Sequence, residues 1–163
     1  RVAEVMPDLR CPGPQKLAEH LADLWGSSEV AGRPQRVAGH VVAVLGVADR
    51  AQRLLADEGD DLTMAAAEAL AAELGSRWRA DDELVRALAG GDDAITDASN
   101  HRAACLDLAR RSTTALLAAV GGRGMDLSHP AQRLAREADF YVIQAQTADG
   151  RAATLRNVAP TMG

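Results

Sequence analysis

The sequence has very few aromatic side chains. Phe, Trp and Tyr make up 2% of its 163 residues, whereas 47% of the residues are hydrophobic. A core with few aromatics must be built from Ala, Leu and Val, which suits close packing between helices better than a β-sandwich, whose strands favour aromatic and β-branched residues. The composition therefore predicts an all-α chain, long enough to bury a sizeable core.

Cysteine is also scarce. The two cysteines, Cys11 and Cys105, lie far apart in the sequence, which excludes both a disulfide framework and the paired ligand spacing of a zinc site. Cys105 lies in an apolar helical stretch, so we expect it to be a small buried hydrophobic residue. We predict a chain without a metal site, located in the reducing cytoplasm.

The sequence also lacks an excess of positive charge and a long apolar run. Its net charge of −5 argues against a general nucleic-acid-binding protein. No apolar run reaches the length of about 18 residues that a membrane-spanning helix needs. We therefore expect neither nucleic acid nor a membrane as a partner. Because the first residue is Arg1, we expect either a trimmed fragment or a processed chain.

The first 35 residues differ from the rest. Proline recurs between Pro7 and Pro34, and the segment CPGP at 11–14 cannot belong to a regular helix or a central strand. We predict an irregular N-terminal arm over residues 1–35, with a short helix from Gln15 to Trp25.

Helical periodicity dominates the remainder of the chain. Apolar residues recur at i and i+3 or i+4, while Gly and Asp concentrate at the joints between the periodic stretches. At Asp81, the sequence fits either a kink in the second stretch or the start of a new helix. Ser128 is the expected N-cap of the last helix. Short polar links predict an antiparallel up-down four-helix bundle over residues 36–160. Its helices are expected over residues 35–56, 62–88, 99–120 and 130–158.

The most specific pattern lies in residues 121–155. A GG-x-G turn is followed by a proline and a helix start of the form R-x-x-R-E-A, and a threonine follows further on. These residues are Gly121, Gly122, Gly124, Pro130, Arg133, Arg136, Glu137, Ala138 and Thr147. The pattern resembles the C-terminal helical bundle of the acyl-CoA dehydrogenases, and the resemblance extends over about residues 36–157. It implies a flavoprotein with FAD, an acyl-CoA or carrier-bound acyl substrate, and a homo-oligomer (dimer or tetramer).

The chain departs from this family at the catalytic base. Where the family has Glu-Gly-Thr, this sequence has Ala145, Gln146 and Thr147. Removing a proton next to a thioester requires a carboxylate beside the substrate carbon, and alanine offers none. Catalytic residues therefore stay unidentified, and ordinary dehydrogenation by this chain alone is not expected. The departure resembles members of the family in actinobacterial secondary metabolism, whose substrates are often bound to carrier proteins.

The flavin contacts of the family are only partly present. The first helix ends in Gln52–Leu55 without the family's R-x-x-F-G, and Ala118 replaces the glutamine before the glycine turn. The turn amides remain suited to phosphate. We therefore expect FAD only with a partner chain or a further flavin domain, and none on the isolated chain. The cofactor-binding candidates are Gly121, Gly122, Arg123 and Thr147.

Small residues predict a pocket between the last helix and the first. Ala118, Ala145 and Ala148 leave space where the family has larger side chains, and glutamines beside that space offer hydrogen bonds. The predicted substrate-pocket residues are Val41, Val44, Gln144, Ala145, Gln146 and Ala148.

The remaining polar residues suggest no catalytic group. Asp49 lies off the apolar face of the first helix and is expected at the surface. His129 precedes Pro130 and is expected in a loop or cap, while His101 shows no partner at a recognisable spacing.

Two functions stay open. In the first, the chain is the bundle domain of an acyl-CoA dehydrogenase-like flavoprotein, or one chain of a split pair with a flavin-domain partner, and contributes the acyl-pocket wall and oligomer core. In the second, it is a flavin-free bundle that binds an apolar ligand or a partner, or catalyses a cofactor-free step.

Overall fold

The computed structural model describes residues 34–90, 94–144 and 146–159, and these residues form helices without any strand. The all-α prediction is therefore confirmed for the described part of the chain. The predicted N-terminal arm, with its short helix, lies outside the described residues up to residue 33. The helices are α1 Pro34–Asp57, α2 Asp61–Ala89, α3 Ile95–Val120, a 3₁₀ turn Gly121–Met125, α4 Pro130–Ile143 and α5 Ala148–Val158.

Helix α3 lies at the centre of the packing, since each of the other helices contacts it. Helix α1 packs against α2, α3 and α4, while α5 packs mainly against α3. The apolar face predicted for α1 is buried, which confirms its periodicity. Its buried members are Val41, Val44, Leu45, Ala48, Gln52 and Leu55.

Cross-helix contacts show the direction of α1 relative to α3. The Nε2 of Gln52 donates a hydrogen bond to the Oγ of Ser112 at 3.0 Å. Further along both helices, the carboxylate of Glu58 pairs with the guanidinium of Arg123, just after α3. From the first contact to the second, the residue number increases on both helices. Helices α1 and α3 therefore run in the same direction.

Helix α2 runs opposite to α3 and is continuous. Glu73 pairs with Arg111 at 2.7 Å, and Asp81 lies 3.4 Å from His101. Asp81 does not break the helix, and its buried side chain lies against His101 of α3. Helix α2 ends at Ala89, with Gly90 as its C-cap, at the place that the glycine pattern predicts.

Helix α3 begins earlier than the sequence indicates. Its predicted start was residue 99 or 100, whereas the helix begins at Ile95. Ala98 and Ser99 are both buried, so tertiary packing supports a first turn that has no side-chain cap. The end is as predicted, at Val120 followed by Gly121.

The predicted last helix is two helices, which corrects the interpretation of residues 130–158 as one element. Helix α4 ends at Ile143, and α5 starts at Ala148 after Thr147 as its N-cap. The carbonyls of Tyr141 and Gln144, which a continuous helix would use for its own next turn, accept hydrogen bonds from Arg102 instead.

The N-cap of α4 is His129, not Ser128 as predicted. The Nδ1 of His129 accepts a hydrogen bond from the backbone N–H of Ala131 at 3.2 Å, and Pro130 occupies the first helical position. The N–H and hydroxyl of Ser128 both donate to the carboxylate of Asp126. The polar groups of Ser128 are therefore bonded to Asp126, and the His129 imidazole caps α4 in place of the Ser128 hydroxyl.

The two glycines after α3 allow a test of backbone conformation alone. Gly121 has φ +56° and ψ −133°, a region that side chains rarely allow, whereas Gly122 has no positive φ. A Cβ at either position would meet no atom within 4 Å. We predict that Gly121→Ala lowers the free energy of unfolding by about 1–3 kcal/mol, measured by urea denaturation followed by circular dichroism.

Gly122→Ala is the matched control, because it adds the same methyl group one residue away. Its effect should stay within about 0.5 kcal/mol. Equal destabilisation by both substitutions would contradict a conformational role for Gly121.

Candidate functional site

The predicted cofactor turn lies at the end of α3 that adjoins the end of α1. Gly121 and Gly122 are exposed there. Arg123, the expected anion ligand of the turn, has its guanidinium paired with the Glu58 carboxylate. The positive charge of this turn is thus already balanced within the chain.

Thr147 lies near the other end of α3. Its Oγ1 accepts a hydrogen bond from the backbone N–H of Gly150 at 3.1 Å and so caps α5. Gly150 in turn lies beside Arg102, near the start of α3. Roughly 28 Å of helix separates Arg102 from Gly121, at about 1.5 Å per residue. One chain therefore does not bring Thr147 and the glycine turn together around one flavin ring.

The predicted pocket residues have different environments. Val41 and Val44 belong to the core, whereas Ala148 and Gln146 are exposed, and the Nε2 of Gln146 donates to the carbonyl of Val142. Gln144 is half-buried. Residue Ala145 lies outside the described residues, so the pocket stays a prediction.

The structure reveals a buried arginine that the sequence pattern did not single out. Arg102 on α3 is only 5% exposed. Its Nη2 donates to the carbonyls of Tyr141 at 2.9 Å and Gln144 at 2.8 Å. These carbonyls form the C-terminal end of α4, where the helix dipole favours a positive charge. Arg102 therefore joins the end of α4 to the beginning of α3.

Two polar atoms at this junction remain unpaired. Arg102 Nη1 and Gln144 Oε1 are buried without a hydrogen-bond partner among the described residues, and no described carboxylate forms an ion pair with Arg102. Burial lowers the pKa of the Arg102 side chain, but a guanidinium remains charged at neutral pH. We call Arg102, Gln144, Thr147 and Gly150 the arginine junction. It holds a buried cation whose compensation is incomplete.

A second polar cluster, the histidine cluster, lies between α2 and α3. His101 Nε2 lies 3.4 Å from Asp81 Oδ1 and 3.5 Å from Cys105 Sγ. The side chains of His101 and Asp81 are 8% and 7% exposed, and Cys105 is fully buried. The sequence spacing indicated no partner for His101, and the structure brings it next to Asp81 and Cys105. The signal available in the sequence was the i, i+4 spacing of His101 and Cys105, which places both on one helical face.

The histidine cluster has the residue types of a nucleophilic site but not the reactivity. Burial raises the pKa of the Cys105 thiol to about 12, and the thiolate is the nucleophilic form of cysteine. Cys105 is therefore the inert small residue that its apolar surroundings predict. Within the described residues, no three His, Cys, Asp or Glu side chains are arranged to hold a metal ion.

An ion-pair network continues from the histidine cluster toward solvent. Glu73 accepts hydrogen bonds from Arg77 at 3.1 Å and Arg111 at 2.7 Å, and Arg111 also bonds to Asp107 at 2.7 Å. Partial burial by itself raises the pKa of the Glu73 carboxyl, but the bonds from Arg111 and Arg77 outweigh it and the pKa lies below its usual value. The network therefore fixes α2 against α3 rather than offering a proton acceptor.

Comparison with protein-family models yields no match, and neither curated proteins nor solved structures provide one. The resemblance to the acyl-CoA dehydrogenases therefore rests on the residues quoted for it and stays a prediction. Among the helices that the structure describes, none combines the length and apolar character needed to cross a membrane.

The burial of Cys105 makes its reactivity predictable. A thiol with a pKa of about 12 carries roughly 10³-fold less thiolate at pH 8 than a free cysteine. In a Cys11→Ser variant, we expect labelling of Cys105 by Ellman's reagent to be at least that much slower in the native protein than in urea.

The control is a cysteine on the exposed side of the same helix. Thr114 on α3 is exposed, so Thr114→Cys in a Cys11→Ser, Cys105→Ala background should react at the rate of a free thiol. Fast labelling of native Cys105 would refute its assignment as an inert core residue.

Proposed function

We propose that this chain is an antiparallel up-down four-helix bundle, formed by α1 to α4 with α5 against α3, and that its function is binding and assembly rather than catalysis. Cross-helix contacts with alternating direction support this topology. The choice favours the flavin-free alternative among the two functions that the sequence leaves open.

Two observations argue against chemistry by the chain alone. The histidine cluster is closed to solvent and its thiol is held protonated. Asp49 on α1, the remaining acid considered as a base, forms an ion pair with Arg53 at 3.0 Å on the same helix. Neither group is placed as a proton acceptor for a substrate.

The observation that supports assembly is the apolar surface of the last two helices. Phe140 and Ile143 on α4 are 52% and 71% exposed, and Leu155 and Val158 on α5 are 53% and 61% exposed. Each pair has the i, i+3 spacing that places both side chains on one helical face. Contiguous exposed apolar patches are typical of interaction surfaces, and we propose that these four residues belong to one.

A second copy of the chain is the partner that we propose for this surface. Most homo-oligomers use the same surface patch on both subunits. Four charges near Phe140 are paired within the chain, since Arg133 bonds to Glu137 and Asp139 to Arg110. These four charges therefore need no partner from a second copy. We propose a homodimer, or a tetramer built from such dimers.

The flavoprotein alternative remains a proposal with a separate requirement. The glycine turn and Thr147 lie at different ends of α3, so FAD would need a flavin-domain partner chain or a further domain, with acyl-CoA or a carrier-bound acyl group as substrate. We predict no stoichiometric binding when FAD is titrated into the isolated chain and followed by flavin fluorescence. Tight binding of one FAD per chain would overturn the preference for a flavin-free bundle.

The assembly proposal is tested by placing a charge on α4. Ile143→Asp should weaken self-association by about tenfold or more, because a desolvated carboxylate would face its own copy across the interface. Light scattering coupled to size exclusion, over a series of protein concentrations, measures the change in mass.

The matched control is Leu62→Asp, which alters an apolar residue of similar size that is 79% exposed on α2. Its self-association should equal that of the unmodified chain, and circular dichroism should show that both variants are folded. A monomeric unmodified chain, or equal weakening by both variants, would contradict the proposed interface.

A further inference from the structure

The N-cap of α4 is a side chain whose hydrogen bonding depends on its charge. His129 Nδ1 accepts a hydrogen bond from the backbone N–H of Ala131 at 3.2 Å. Because a backbone N–H can only donate, this ring nitrogen carries no proton, and the neutral imidazole has its proton on Nε2. Histidine is the side chain that ordinarily changes charge between about pH 5 and pH 8. The bond that caps α4 therefore exists in only one of the two charge states of His129.

The backbone of His129 is held independently of its side chain. Its N–H donates to the carbonyl of Asp126 at 2.9 Å, and its carbonyl accepts from the backbone N–H groups of Gln132 and Arg133. The side chain is half-buried, so the ring can exchange protons with solvent. A change of charge can therefore turn the imidazole while the backbone around it keeps its path.

Protonation of His129 removes the cap without supplying a substitute. An imidazolium has a proton on both ring nitrogens and cannot accept a hydrogen bond, and its positive charge is disfavoured at the start of a helix. Ala131 is completely buried, so water cannot reach its N–H without a movement of the chain. The N–H and hydroxyl of Ser128 are both bonded to Asp126. Loss of the His129 bond thus leaves the first turn of α4 uncapped.

Asp126 offers the protonated ring a new partner. Its Oδ1 accepts both bonds from Ser128, and its Oδ2 can accept a further one. The bonds from Ser128 lower the pKa of the Asp126 carboxyl, and the positive charge of His129 contributes to the same shift. The carboxylate is therefore ionised when His129 gains its proton, and it lies near enough for the two charges to attract each other.

The other charged groups around the start of α4 come from α4 itself, the 3₁₀ turn and the end of α1. These groups are Asp57, Glu58, Arg123, Arg133, Arg136 and Glu137. Arg123 is paired with Glu58, and Arg133 is paired with Glu137. Residues 114–120, at the adjoining end of α3, include no ionisable side chain. Asp126 is therefore the carboxylate that we expect the protonated ring to meet.

We propose that His129 is a proton-controlled cap of α4, which exchanges Ala131 for Asp126 as its hydrogen-bond partner. In the neutral state Nδ1 accepts from the Ala131 N–H. When Nδ1 takes up a proton from solvent, the ring releases this N–H and donates to the Asp126 carboxylate, which offsets the added positive charge. The start of α4 is thus capped near pH 8 and uncapped near pH 5. This device lies at the opposite end of α4 from Ile143 and does not depend on self-association.

Nuclear magnetic resonance of the ¹⁵N-labelled full chain, titrated from about pH 8 to pH 5, tests the exchange of partners. At the upper end of the range, the ring signals of His129 should show a proton on Nε2 and none on Nδ1. The backbone amide signal of Ala131 should shift with the same midpoint as the ring, because its bond is lost in the same step. Asp126→Asn keeps an acceptor for Ser128 without the charge, so its ring should take up the proton at lower pH.

Thermal unfolding of His129→Asn provides the second measurement. Asparagine is a favourable N-cap that does not titrate in this range. Between about pH 7.5 and pH 5.5, the unmodified chain should lose about 2–6 °C more in Tm than the variant, because it alone loses a cap. The same difference should appear in a matched pair that also carries His101→Gln, which removes any contribution of the histidine cluster.

The proposal is overturned if neutral His129 has its proton on Nδ1, if the ring stays neutral throughout the titration, or if the Ala131 amide does not follow the ring. An unchanged midpoint in Asp126→Asn would contradict the exchange of partners. Equal losses of Tm in the unmodified chain and His129→Asn would overturn the capping role. Disappearance of the difference in the His101→Gln pair would do the same, because it would assign the pH dependence to the histidine cluster.

Discussion

The close contact between α1 and α3 is the constraint on which the rest of the structure depends. With 2% aromatic residues, the chain fills its interior with small and aliphatic side chains, and Ala48, Ala51, Ala109 and Ser112 are completely buried. Small residues let two helices approach closely, but they leave little room for polar groups without partners. The buried side chains of Gln52 and Ser112 are partners for each other, since Gln52 donates a hydrogen bond to Ser112. Helix α3 then offers its remaining faces to α2, α4 and α5.

Two consecutive residues on α3 show how one helix turn organises three neighbours. His101 turns toward α2, where it meets Asp81. Arg102 turns toward the end of α4 and the start of α5. Adjacent residues on a helix point about 100° apart, so one turn can connect different partners. The histidine cluster is closed because its groups satisfy one another, whereas the arginine junction keeps unpaired atoms. The two residues therefore differ in how fully their polar atoms are hydrogen-bonded.

The sequence predicted those elements whose signals are local. The bounds of α1 and the ends of α2 and α3 follow from periodicity and glycine, because hydrophobic spacing and turn chemistry act within a few residues. The break between α4 and α5 depends on Arg102, about 40 residues away in the sequence. The pairing of Asp81 with His101 likewise connects two helices. Contacts between residues far apart in the sequence leave no periodic signal. The contact between Arg102 and the end of α4 therefore could not be predicted, although Gln144 and Thr147 were both candidate site residues.

The segment around residue 145 connects the family resemblance with the geometry. In the acyl-CoA dehydrogenases the resembling segment carries an acid–base residue, whereas here Thr147 caps a new helix and the carbonyl of Gln144 is held by Arg102. A base near a substrate carbon needs a carboxylate whose proton affinity is matched to the reaction. Arg102 and the start of α5 create the opposite environment, since their positive potential would hold any carboxylate there ionised and weakly basic. Ala145 in place of a carboxylate and the buried Arg102 therefore both disfavour proton abstraction by this segment.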